Sequence, residues 1–171
     1  MRRLDREIKD QEALKRLLSY SKYFVLSMSA GDEPYAVPLG YVYDDGGNVI
    51  YFHCAREGKK MDFLKKNPKA WGVVVLDQRI TEGTCVNLYA SAMFSGRVEF
   101  VQDKSEKTMV MNLFVEKLSR DVSGVKQRLQ KIFGGEGSAL DSVVFGKIVI
   151  HELTGKRSTE MTIEKLLEII G

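Results

Sequence analysis

Cysteine, histidine, tryptophan and proline are all scarce in this chain of 171 residues, which holds two, two, one and three of them. Cys54 and Cys85 stand far apart with no C-x-x-C spacing, so they build neither a zinc site nor a disulfide scaffold. A reducing cytoplasm is the expected compartment. No window approaches the roughly 20 consecutive apolar residues of a membrane span, so no membrane partner is expected. An excess of one charge is missing too: 26 Lys and Arg against 23 Asp and Glu leave +3. That is too little to argue for nucleic acid. The opening M-R-R-L-D-R-E-I-K-D is charged with no apolar stretch behind it, so a signal peptide is not expected. There is no internal repeat and no low-complexity linker.

What remains is ordinary globular material. Hydrophobic residues make up 44% and charged residues 29%, which excludes disordered and collagen-like classes and predicts one domain over 1–171 with a full core. Asp10 caps a predicted helix over Gln11 to Tyr20 with Leu14, Leu17 and Leu18 on one face. Strands follow over Tyr23 to Ser29 and Tyr35 to Tyr43, the second interrupted by Pro38, which marks an edge or a bulge. Asp44 to Asn48 turns the chain into a third strand from Val49. After a helix ending at Asn67-Pro68, Ala70 to Leu76 is apolar enough for a fully buried strand, and 77–86 reads as a loop. Leu88 to Val101 is a long strand bent at Gly96. Asp103 caps a helix to Leu118 with Met109, Leu113 and Leu118 among its apolar positions, and Val122 to Phe133 is a second helix. The G-G-E-G at 134–137 lacks the strand and spacing of a dinucleotide fingerprint. Val143 to Leu153 is the last strand, and Thr162 to Ile170 a terminal helix. Early hairpins, long curved strands and no regular βαβ alternation predict a mainly β fold, an antiparallel closed barrel with helices packed outside.

One stretch carries chemistry. Val49 to Asn67, V-I-Y-F-H-C-A-R-E-G-K-K-M-D-F-L-K-K-N, is a strand that breaks at Gly58 into an amphipathic helix. The junction gathers His53, Cys54, Arg56, Gly58, Lys59 and Lys60 where a helix presents unpaired N–H groups and the positive end of its dipole. Such a junction suits a phosphate, although it is not a Walker-type loop and taken locally reads more readily as a solvated loop ahead of an ordinary surface helix.

Together with the preceding A-V-P-L-G-Y-V-Y-D and the later Y-A-S-A-M-F-S-G-R-V (89–98), this stretch resembles the pyridoxamine 5′-phosphate oxidase-like flavoproteins. Within them it is most similar to the nitroimidazole-resistance branch, whose opening M-R-R-x-D-R-E-I also fits. The resemblance implies an antiparallel split β-barrel that dimerises, with FMN at the subunit interface. Pro38, Leu39, Gly40 and Tyr41 would offer backbone to the flavin ring, and His53, followed by Cys54, would begin the segment lining it. Lys60 would meet the phosphate, supported by Arg56, Gly58 and Lys59. Tyr89 and the Ser91 hydroxyl would complete the site.

Each residue also has a plainer role. His53 fits a structural histidine at a strand end, Cys54 a buried small hydrophobe, and Tyr41, Tyr43 and Tyr89 core or interface aromatics. Lys59 and Lys60 face about 100° apart on a helix, so one of them is solvated. The oxidase proper has a C-terminal region rich in tryptophan and arginine. Here the one tryptophan is Trp71 and the chain ends L-L-E-I-I-G, which argues against pyridoxamine phosphate oxidation. The expectation is a homodimeric FMN oxidoreductase passing electrons to a small planar acceptor, a nitroaromatic or quinone, with His53 as proton donor. A flavin sensor or store without turnover, or a barrel holding F420 or haem, are the alternatives. His151 is given no role.

Overall fold

The structure, a computed structural model, describes residues 3–80, 87–119, 121–125 and 144–171. A 3-10 turn at Leu4–Arg6 precedes helix α1 (Gln11–Tyr20), then strands β1 (Tyr23–Ala30), β2 (Glu33–Asp44) and β3 (Val49–Cys54). Helix α2 (Lys59–Lys66), strands β4 (Lys69–Ile80) and β5 (Asn87–Phe100), helix α3 (Lys104–Leu118), strand β6 (Val144–Arg157) and helix α4 (Ile163–Ile170) complete it. Every strand pairs antiparallel with its neighbours, and the ring closes in the order β1-β2-β3-β6-β5-β4. This is the antiparallel split barrel that the sequence predicts.

Alternation decides the two faces of the wall. Along β5 the inward residues Leu88, Ala90, Ala92, Phe94 and Val98 are buried while their neighbours face out. Phe24, Tyr41, Phe52 and Phe94 fill the barrel, with ring centroids 5.3 to 6.0 Å apart around Phe24. The small inward positions match them: a methyl at Gly72 would collide with the Phe94 ring, and one at Gly146 with the Phe52 ring. Helix α1 closes one end through Leu14, Leu17 and Leu18, all fully buried, and the Tyr41 hydroxyl donates to the Leu18 carbonyl. A second core lies outside the wall, where Val110 and Phe114 of α3 cover Val42, Tyr51 and Phe145.

Some details differ from the sequence reading. Strand β4 is not buried on both faces, because Trp71 and Val75 stand 46% and 59% exposed on its outer side. An apolar run does not distinguish a strand buried twice from one with an open apolar face. Residues Asp77 to Ile80 continue β4 rather than starting a loop, with Ile80 opposite Asn87; 81–86 lie outside the described residues. On α3, Met109 and Leu118 are exposed, while Val110, Phe114 and Val115 face the wall. The stretch from Met109 to Val115 is apolar nearly all round, so periodicity alone could not orient it. Of the predicted helix from Val122, residues 122–125 are helical and the rest, with the 134–137 glycines, lie outside the described residues. The bend at Gly96 is real: the β5–β6 register shifts between Ser95 and Gly96.

Candidate functional site

The last residues of strand β3, His53 and Cys54, stay paired with Phe145 and Val144 of β6, while the β3 pairing with β2 stops at Phe52. Tyr41 pairs with Phe52, so the segment Pro38–Tyr41 of β2 runs beside His53 and Cys54. Pro38 is opposite Val25 on β1, and β3 begins to pair with β2 only at Tyr41. The proline thus sits where its strand is locally an edge, and its missing N–H costs no ladder bond there.

Gly58 is the N-cap of α2 at φ 116°, a conformation that favours glycine, and no side chain caps the helix. The Met61 and Asp62 amides donate to the Gly58 carbonyl at 2.8 and 3.2 Å. The N–H groups of Lys59 and Lys60 are left as donors at the open, positive end of the helix. The two lysines then diverge. Lys59 Nζ is 2.7 Å from Glu33 Oε1 and lies 5.1 and 5.4 Å from the Tyr35 and Phe63 ring centroids. The hydrogen bond to Lys59 holds the Glu33 carboxyl below its usual range. Lys60 forms no ion pair among the described residues and is half-buried. Its positive charge acts on both His53 and Cys54, working to lower the pKa of each.

His53 is exposed on the outer face of β3, its ring edge-on to Phe114 at 5.1 Å and to Phe145 at 6.5 Å. Burial first, and the Lys60 charge second, hold its pKa below the ordinary imidazole value. At pH 7 the ring is therefore neutral, with one N–H donor and one acceptor nitrogen. It opens onto an apolar cleft of about 460 Å³ walled by Met111, Phe114, Val115, Leu118 and Val125. Cys54 points inward, its Sγ 3.8 Å from Met61 Sδ, and burial pushes the thiol up. That is the small buried hydrophobe rather than a redox thiol. Tyr41 lies wholly in the core, so a ligand reaches that segment through backbone and through the outward positions 38 and 40.

Tyr89 and Ser91 are not brought to this place. They face outward on β5, which is three strands from β2 in either direction round the ring. Ser91 Oγ donates to the Lys156 carbonyl at 3.3 Å, and the Tyr89 carbonyl accepts from the Ser158 N–H at 3.0 Å. The β2–β3–α2 corner and the outer face of β5 are therefore separate places on one chain. The sequence reading missed Phe114 and Lys117, both on α3. Lys117 Nζ is buried 4.0 Å from the Tyr41 ring centroid with no hydrogen-bond acceptor, and burial lowers its pKa to about 8. Its spacing in the sequence is that of any solvated lysine. Among the described residues there is no cluster of three metal-ligating side chains and no helix long and apolar enough to cross a membrane.

A sequence model of the pyridoxamine 5′-phosphate oxidase family matches residues 10–157. None of the curated proteins is close enough in sequence to match. Among solved structures, a Bacteroides thetaiotaomicron protein to which 5-nitroimidazole resistance has been attributed superposes with a TM-score of 0.72 at 22% identity, covering 88% of this chain and 85% of that one. The FAD and haem binding protein of Mycobacterium smegmatis gives 0.71 at 17% identity over 97% and 80%. An FAD-binding protein of Mesorhizobium loti gives 0.57 at 25% identity over 90% and 97%.

Proposed function

The chain belongs to the pyridoxamine 5′-phosphate oxidase family, and from that premise we propose that it is an FMN-dependent oxidoreductase, working as a cytoplasmic homodimer on a small planar electron acceptor. The observation that carries the reading is the α2 entrance: an uncapped helix start at Gly58 beside the Lys60 ammonium. Fixed charge and preorganised N–H donors are what a doubly ionised phosphate requires. Lys60 and the Lys59 and Lys60 amides would hold the phosphate, while Pro38 to Tyr41 and His53 would line the ring. FMN supplies the transfer of electrons. His53, neutral at pH 7, is the residue placed to hold or move a proton at the mouth of the apolar cleft. The cleft has the size and apolar walls suited to a flat acceptor such as a nitroaromatic or quinone.

The separation of the two places supports the reading of a dimer that would bring them together. Between them runs an outward apolar strip, with Val25 opposite both Pro38 and Val73, Val73 opposite Met93, and Val75 opposite Ser91. Tyr23, Val25 and Val75 are exposed on it. A two-fold axis through this strip would set Pro38 to Tyr41 of one copy against Tyr89 and Ser91 of the partner, so that each flavin draws on both chains.

The test is the visible absorption spectrum of the purified protein before and after FMN is added, followed by anaerobic reduction and addition of a nitroaromatic. A perturbed flavin spectrum that reoxidises faster with the acceptor is expected. A protein that binds no FMN, or that prefers F420 or haem in the same titration, overturns the cofactor assignment. Bound flavin with no acceptor-dependent reoxidation leaves a flavin-binding protein without turnover.

A further inference from the structure

On the outside of the barrel, β1, β4, β5 and β6 enclose a groove of about 620 Å³, within the range of small-molecule sites. Its wall differs from the apolar strip beside it. There the cross-strand rows are Val25–Val73–Met93 and Val75–Ser91; in the groove they become Ser27–Trp71–Ser95 and Lys69–Arg97. Strand β6 reaches the groove through an irregularity. Ser95 pairs with Glu152 and Gly96 with Ile150, so His151 is an extra residue, and the bulge turns it onto the groove. Gly96 is needed for this close approach, because a methyl there would meet the Val149 carbonyl. Bulges of this kind re-aim a side chain next to a site.

Three cation-capable side chains, Lys69, Arg97 and His151, thus line the groove with an indole that is 46% exposed, together with three serines, Ser27, Ser29 and Ser95. Among the described residues lining the groove there is no carboxylate. Glu152, the nearest acid in register, stands outside it, and neither Lys69 nor Arg97 has an ion pair among the described residues. An ordinary solvated face intersperses both signs of charge. We propose that this groove is a second binding site, separate from the α2 entrance, for a flat aromatic anion. The ring lies against Trp71, and its carboxylate or phosphate is held by Arg97 and Lys69. A guanidinium fork binds such oxygens two at a time, and an indole offers its face to a planar ring at little entropic cost. An aromatic acid and a mononucleotide share this chemistry.

Trp71 is the one tryptophan of the chain, so with flavin occupancy held constant its fluorescence reports this groove. Titrating the purified protein with benzoate and, separately, with adenosine 5′-monophosphate is expected to change that emission saturably with at least one of them, which identifies the class of ligand. Arg97→Ala should weaken the binding about tenfold to hundredfold, and His151→Gln should weaken it less. Lys60→Ala, which removes the phosphate contact at α2, should leave it unchanged, so this site and the flavin site fail independently. Emission that neither compound changes up to millimolar concentration overturns the proposal, as does a change that Arg97→Ala leaves intact. Emission that instead shifts on protein dilution makes the groove a subunit contact and overturns it too.

Discussion

Lys59 and Lys60 are adjacent in sequence and indistinguishable by type, yet their surroundings give them different tasks. Lys59 is held by Glu33 and two aromatic rings, whereas Lys60 has no ion pair among the described residues and its charge acts on His53. Lys60→Ala is therefore expected to weaken FMN by about 1.5–3 kcal/mol, a tenfold to hundredfold rise in Kd by fluorescence titration. Lys59→Ala should cost less. The same neighbour tunes His53: removing the Lys60 charge should raise the His53 imidazole pKa, read by NMR titration with His151→Gln to assign the two histidines. The folded pKa of His53 lies below its unfolded value. Stability is thus fully present above about pH 6.5 and is lost as pH falls through the lower folded value. His53→Gln should remove that part of the acid-side decline in Tm. Lys117 follows the same rule higher on the scale, folded at about 8 against roughly 10.4 unfolded. Its contribution is present above the unfolded value and is lost as pH falls through 8. Lys117→Met, which removes a buried unpaired ammonium, should raise Tm at pH 7 relative to the wild type and lose that advantage near pH 10.

At the scale of elements, α3 links stability to the site. Tyr51 Oη donates to Glu106 Oε1 at 3.0 Å, and Lys147 Nζ lies 3.0 Å from the same carboxylate, both sides of the pair being largely covered. This pins the start of α3 to β3 and β6 and so holds Phe114 against His53. Glu106→Ala leaves a covered ammonium and a hydroxyl without their acceptor and should cost about 1–3 kcal/mol in urea unfolding, with the His53 cleft loosened. Gly72→Ala should cost a similar 1–3 kcal/mol, because its methyl enters space held by Phe94. The caps were legible beforehand. Asp10 accepts from the Glu12 and Ala13 amides, Asp103 from Glu106 and Thr162 from Lys165, as local capping chemistry dictates. The faces of α3 and β4 were not legible, because an uninterrupted apolar run carries no phase.

For the whole molecule, the ring order sets the terms. It puts Pro38 to Tyr41 and Ser91 on strands three steps apart, joined by an exposed apolar strip. Val25→Lys with Val75→Lys should convert a dimer to monomers in analytical ultracentrifugation and release FMN in the same step. Monomers that keep their flavin would show that one chain suffices. The sequence by itself determined what depends on neighbours along the chain: the helix caps, the strand-to-helix junction at Gly58, the antiparallel barrel class and the family motif. Tertiary structure alone decided what depends on register and closure. It paired Lys59 with Glu33, left Lys60 without an ion pair among the described residues, and turned the outer face of β4 to solvent. It gathered Trp71, Arg97 and His151 from three strands into one groove. The reason is physical: a cap or a turn is satisfied within a few residues, whereas charge pairing, burial and the meeting of distant strands are fixed only when the ring closes.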